Sequence, residues 1–290
     1  MSIPIDSECI QCHLRRNLET ARKLGNEAQA TAFAKDLLKL YLTAPAEASS
    51  PWLAPATAEL FRKYYDVPED RYLEEKEISN RFVLERLDAI RSRVEQAEDP
   101  LLAGLRFAIL GNYIDFSALQ GQVSFEELDG LLDRAEEMTP AGEGYAKLCE
   151  DLQKAKRLLY LTDNAGEIGF DRIFAEVIAK AYPDLQITFC VRGGPAMNDA
   201  LRADAALMEI PFPVIDNGNR VAGTQIDQLG EEAKQALETA DVIIAKGQGN
   251  VETMYGCGYN VYYAFLIKCS RFVREFGQPK FTPMLLQEKA

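Results

Sequence analysis

The chain has 290 residues and a formal net charge of -13, from 32 lysines and arginines against 45 aspartates and glutamates. That acidic balance argues against nucleic acid as a partner, because phosphate backbones are held by an excess of lysine and arginine. The length allows a large core and a soft expectation of two domains, and no apolar run approaches the roughly 18 to 20 residues of a membrane-spanning helix. The start Met1-Ser2-Ile3-Pro4-Ile5-Asp6 lacks the basic-then-apolar order of a signal peptide. Six scattered cysteines do not make a disulfide scaffold. A cytoplasmic protein independent of membranes is expected.

Residues 17 to about 155 read as helix after helix. Asn17 to Tyr41 carries Leu18, Ala21, Leu24, Ala28, Ala32, Leu37, Leu38 and Tyr41 at roughly helical spacing. Pro51 suits the first turn of a helix through Leu60, Phe61 and Tyr64. Ile78 to Val94 sets Phe82, Leu84, Leu87, Ile90 and Val94 along one face, and Pro100 to Leu119, Phe125 to Met138 and Gly144 to Arg157 add three more helices. After Lys156 short apolar runs alternate with helical ones: strand 158–162, helix 166–181, strand 186–192, helix 198–208, strand 213–216, helix 228–239, strand 241–245. A strand from Val261 to Cys269 and a helix around Ser270–Phe276 follow. Strands alternating with helices imply crossover units and a parallel sheet. The fold class expected is therefore α/β, a mostly parallel sheet of the doubly wound type with flanking helices (residues 156–290), preceded by an all-helical domain (residues 1–155).

Ligands of open parallel sheets bind beyond the carboxyl ends of the strands. Here those ends are Asp163-Asn164, Arg192-Gly193-Gly194 leading to Asn198-Asp199, Asp216-Asn217-Gly218, and Lys246-Gly247-Gln248-Gly249-Asn250. Any one is ordinary turn chemistry; their convergence is the signal. Carboxylate and amide oxygens suit a hard divalent cation. Glycine turns, helix N-termini and Lys246 suit a phosphate. The two sites side by side fit a phosphoryl-transfer enzyme and, equally, a sugar or nucleotide binder of the same sheet type. There is no G-x-x-x-x-G-K-[ST] loop, and the sole histidine, His13, is remote in sequence from the sheet, which argues against triad chemistry. Ala165 stands where a haloacid-dehalogenase pattern needs its second aspartate. Metal-activated water is the simpler attacker, with Asp163, Asn164 and Asp199 as ligands.

Asp163-Asn164-Ala165-Gly166-Glu167, Gly194-Pro195-Ala196-Met197-Asn198-Asp199-Ala200 and Lys246-Gly247-Gln248-Gly249-Asn250-Val251-Glu252 resemble, as a set and in order, the signatures of the metal-dependent damage-control phosphatases. That family was long catalogued as domain of unknown function eighty-nine. Cys9-Ile10-Gln11-Cys12 resembles its archaeal and bacterial branch, and weaker matches run through Gly111-Asn112-Tyr113-Ile114-Asp115-Phe116, Gly223-Thr224 and Lys268-Cys269. The resemblance implies hydrolysis of small phosphate esters, such as sugar phosphates or damaged phosphometabolites, with manganese or magnesium, or else cobalt or nickel. It implies Asp163, Asn164 and Asp199 as metal ligands, Lys246 neutralising the phosphate and Glu167 orienting a ligand or water. Asn112 and Asp115 would reach the cleft from the helical half. Asn198 and the turn from Gly247 to Asn250 would face the substrate. Val251 stands where the family often has an aromatic residue. Some relatives are described as carboxyl methyltransferases, but no glycine-rich nucleotide fingerprint supports that here.

Bland roles compete at several positions. Arg192 serves equally to hold a phosphate oxygen or to pair with a neighbouring acid. Asn112 and Asp115, at i, i+3 spacing in an apolar helix, suit a helix-to-helix hydrogen bond as well as an active site. Cys9, Cys12 and His13 fall short of the four ligands of a structural zinc site, so packing at a helix start is the expected role.

Overall fold

The computed structural model describes residues 2–114 and 125–288. The first half is helical, as its spacing predicts, but two of the long helices are each broken in two. Helices α1 (Ser7–Leu24) and α2 (Glu27–Thr43) replace a single helix. Between them Asn26 opens α2 with a capping box, its side chain accepting from Gln29 N at 3.0 Å while Gln29 Oε1 takes Asn26 N at 3.1 Å. After α3 (Ala54–Tyr64), the run from Ile78 to Val94 divides into α4 (Leu73–Leu84) and α5 (Leu87–Gln96). Arg86 lies at that break: Nη1 caps the Phe82 carbonyl, while Nε and Nη2 grip Asp129 at 2.6 and 2.9 Å. Helix α6 (Pro100–Leu110) passes into a 3-10 turn at Gly111–Tyr113, and α7 (Phe125–Asp133) and α8 (Gly144–Lys154) come later in the chain.

The second half bears out the α/β expectation. Strands β1 (Arg157–Leu161), β2 (Gln186–Val191), β3 (Val214–Asp216), β4 (Val242–Lys246), β5 (Val261–Leu266) and β6 (Pro283–Glu288) form one sheet in the order β3-β2-β1-β4-β5-β6. All neighbouring pairs are parallel except β5 with β6. The antiparallel β6 was not anticipated, because it opens on proline and ends in Gln287-Glu288, which suits an edge more than a buried run. Successive residues of a strand point to opposite faces, and both faces are covered. Leu158 and Tyr160 join one core with Ile244, Phe107 of α6 and Phe174, whereas Leu159 and Leu161 join another with Ile243, Leu237 and Phe272. Hence the strands read as unbroken apolar runs. A third, smaller cluster holds α1, α2 and α3 together through Ala21, Phe33, Leu37 and Phe61.

Helices α9 (Glu167–Ala181), α10 (Arg202–Leu207), α11 (Glu231–Thr239), α12 (Gly247–Met254) and α13 (Ser270–Phe276) complete the chain. The helix expected over 198–208 starts only at Arg202. Residues 198–200 instead bond to the end of β1: Ala165 N donates to Asn198 O at 2.9 Å and Ala200 N to Asp163 O at 2.8 Å. Among the described residues no helix is long and apolar enough to cross a membrane.

Candidate active site

Strand β1 delivers Thr162, Asp163 and Asn164 to the sheet's carboxyl edge, at the point where strand order turns from β2 on one side to β4 on the other. An isolated bridge pairs Asn164 with Asp199, so two segments distant in sequence meet there. Asp163, Asn164, Asn198 and Asp199 are all buried. Asn198 Nδ2 donates to Asn164 Oδ1 at 2.7 Å, and Asn164 Nδ2 donates to Asp163 Oδ2 at 2.9 Å and to Glu167 Oε2 at 2.7 Å. The Asn164 amide is thereby fixed in one orientation.

The helical half reaches the same spot. Gly111 lies so close to α9 that a Cβ on it would sit 3.0 Å from Glu167 Cγ. That approach brings in Asn112, fully buried, whose Nδ2 donates to Asp163 Oδ2 at 2.8 Å and to Glu167 Oε2 at 3.0 Å. Asp115 lies outside the described residues. From the other side, Gly247 has φ +75°, and a Cβ there would fall 1.9 Å from Asp163 Oδ2. Only glycine permits the turn after β4 to close over that carboxylate.

Sequence reasoning set Lys246 against a phosphate. The structure places its ammonium in the interior, 0 % exposed, with hydrogens on Ala108 O (2.7 Å), Glu167 Oε1 (2.8 Å) and Asp171 Oδ1 (2.5 Å). Burial alone would lower its pKa, but the adjoining carboxylates of Asp171 and Glu167 outweigh that and hold it protonated. Asp171 Oδ1 also accepts from Tyr160 OH at 2.8 Å. Burial pushes the Asp171 carboxyl up to about 7, against the opposing charge of Lys246. Arg192 pairs with an acid: Nε donates to Asp199 Oδ2 at 2.6 Å and Nη2 to Thr162 O at 3.0 Å, while Nη1 is buried without a partner. Asn250 ties the turn after β4 to β1, its Nδ2 donating to Lys246 O at 2.7 Å and Thr162 O at 3.1 Å. Thr224 Oγ1 donates to the Asn250 Oδ1 at 2.8 Å.

Three residues of this network escaped the sequence reading: Asn80, Tyr160 and Asp171. Asn80 Oδ1 accepts from Gly166 N at 2.7 Å, so it holds the start of α9 from α4. Asp171 left a signal, since it stands four residues after Glu167 in an apolar helix and so shares its face. The other two gave no local sign.

In charge terms, among the described residues of this hydrogen-bonded network, Asp163, Glu167, Asp171 and Asp199 oppose Lys246 and Arg192, four acids against two bases. Asp163, Asn164 and Asp199 offer two carboxylates and an amide oxygen, a donor set that fits a hard divalent cation. The two-acid excess fits one such ion. Among the described residues no three His, Cys, Asp or Glu side chains form a metal-holding group, and the candidate set includes an amide oxygen. At the other end of the chain Cys9 is half-buried, Cys12 is exposed, and His13 bonds to Tyr41 OH.

A sheet of this order with such a strand-end cluster defines an α/β protein with a buried polar network at its carboxyl edge. The damage-control phosphatase ARMT1-like domain matches residues 5–282, and the chain belongs to that family, as its motifs led one to expect. It is 30% identical over 280 residues to a damage-control phosphatase of Archaeoglobus fulgidus, covering 93% of this chain and 94% of that one. An uncharacterized protein of Methanocaldococcus jannaschii is also 30% identical, over 95% of this chain and 93% of its own. The crystal structure of a DUF89 family protein from Pyrococcus horikoshii superposes with a TM-score of 0.85 at 25% identity, covering 99% of both chains.

Proposed function

We propose that the protein is a metal-dependent phosphatase that hydrolyses small phosphate monoesters, sugar phosphates or damaged phosphometabolites. One observation supports this: backbone pairing, through the Asn164–Asp199 bridge and the Ala200 N to Asp163 O bond, joins the two segments that carry Asp163-Asn164 and Asp199, in a family of damage-control phosphatases. Asp163, Asn164 and Asp199 would hold the cation, manganese or magnesium, or else cobalt or nickel. When bound, such an ion supplies a Lewis acid for a phosphoryl oxygen and acidifies a water.

The remaining roles belong to the chain itself. Glu167, Asn112 and Asn198 lock the amide of Asn164 and the carboxylate of Asp163 by the hydrogen bonds given above. Arg192 does the same for Asp199 and has Nη1 left over as a buried donor for a phosphate oxygen. Backbone N–H groups from Gly247 to Asn250 open helix α12, where the helix end favours an anion and would stabilise charge on the equatorial oxygens. Lys246 acts at one remove, by holding Glu167.

Release of inorganic phosphate from a panel of phosphomonoesters, with each metal in turn, tests the proposal. Wild type should release phosphate, EDTA should stop it, and Asp163→Ala should be inactive while still folded. Full activity in that variant would sink the assignment. Retention of a phospho-sugar without phosphate release would instead mark a binding protein, and a thermal shift with S-adenosylmethionine a methyltransferase.

A further inference from the structure

Asp171 has no contact with the proposed ligands Asp163, Asn164 and Asp199 in the network above, and at 0 % exposure it cannot meet a substrate. Its two partners are Lys246 Nζ at 2.5 Å and Tyr160 OH at 2.8 Å, and its Oδ2 has none. Carboxylates with one free oxygen are costly to bury, so the site gains something by keeping this one. The ammonium of Lys246 lies between Asp171 and Glu167, one turn apart on α9. With Asp171 present, Lys246 is shared. Without it, Glu167 would be its sole carboxylate partner, and the cluster would fall from two acids in excess to one.

We propose that Asp171 is a positioning residue for the cation site: it absorbs the charge of Lys246, leaving Glu167 and Asp163 the negative charge that a divalent ion meets. This rests on the metal-dependent reading above and adds to it a residue that touches neither ion nor substrate. Tyr160 fixes the carboxyl of Asp171 in turn. Glu167 itself is also held by Asn164 and Asn112, so what passes along the contacts Asp171 to Lys246 to Glu167 to Asn164 is charge.

The test is a manganese titration of the full-length, metal-free protein above pH 7, where the Asp171 carboxyl is ionised, read from the electron-spin signal of unbound ion, with melting curves as a check on folding. Asp171→Asn keeps size and removes the charge, and should bind manganese roughly tenfold to a hundredfold more weakly than wild type. Adding Lys246→Met to Asp171→Asn restores the two-acid excess and should recover most of that loss. Manganese binding by Asp171→Asn within about twofold of wild type overturns the proposal, and so does a double variant that binds no better than the single one. Where Asp171→Asn does not fold, the double variant decides against wild type: similar affinity supports the proposal, and a loss beyond about tenfold overturns it. Asp163→Ala separates the two layers. If it no longer binds manganese while Asp171→Asn binds normally, only the role of Asp171 fails; if Asp163→Ala binds like wild type, the cation reading fails with it.

Discussion

Two clusters in this protein are built from the same parts and behave in opposite ways. On the surface of the helical half, Asp36 accepts from Lys39 (2.7 Å), Lys63 (2.6 Å) and Tyr64 OH (2.6 Å). At the sheet edge, Asp171 accepts from Lys246 and Tyr160 OH. The lysines around Asp36 are 70 % and 60 % exposed, whereas Lys246 is fully buried. Hydrogen bonds from Lys39, Lys63 and Tyr64 hold the Asp36 carboxyl well below the usual carboxylate range, while burial pushes Asp171 the other way. An aspartate between lysine and tyrosine thus has no fixed meaning. Removal from water sets the sign, and it turns a surface decoration into a charge reservoir.

The largest way to sharpen that contrast is Lys246→Ala. It strands Glu167 and Asp171 without their cation and should cost about 3–5 kcal/mol in urea denaturation. Gly247→Ala comes next, because its methyl group would overlap the Asp163 carboxylate at a backbone angle that favours glycine. A loss of about 1–3 kcal/mol with loss of phosphate release is expected, and wild-type activity would show that the turn can yield. The third effect is a pH slope. The folded pKa of Asp171 is raised from 3.8 to about 7, so the folded state keeps a proton that the unfolded state gives up. Its contribution is present below 3.8 and is lost as pH rises toward 7. In metal-free protein, wild type should therefore lose stability relative to Asp171→Asn over that window, and parallel curves would contradict the assignment. The smallest effect belongs to Asp36→Asn, which should leave both the melting temperature at physiological salt and the activity unchanged. A clear drop would erase the contrast.

Much of the fold was legible because strands buried on both faces, such as Val242–Lys246, write themselves as continuous apolar runs. Strand β6 was not, since an edge strand opening on proline carries no such mark. Helix breaks at Gly25-Asn26 and Glu85-Arg86 were hidden by apolar spacing that runs straight through them. At the site, Asp163, Asn164, Asp199 and Gly247 stood out as polar or glycine residues following apolar runs. Tyr160 and Asn80 did not, for their roles arise from partners 11 and 86 residues away, and no local pattern encodes a partner at long range.

Beside α12, residues 3–8 and α13 clasp one another. Arg274 holds Asp6 and Glu8 at 3.0 and 2.7 Å, and Ile3 N donates to Glu252 O at 2.8 Å. Helix α1 precedes α13 by about 250 residues of sequence, so this clasp joins segments that no local folding step can bring together.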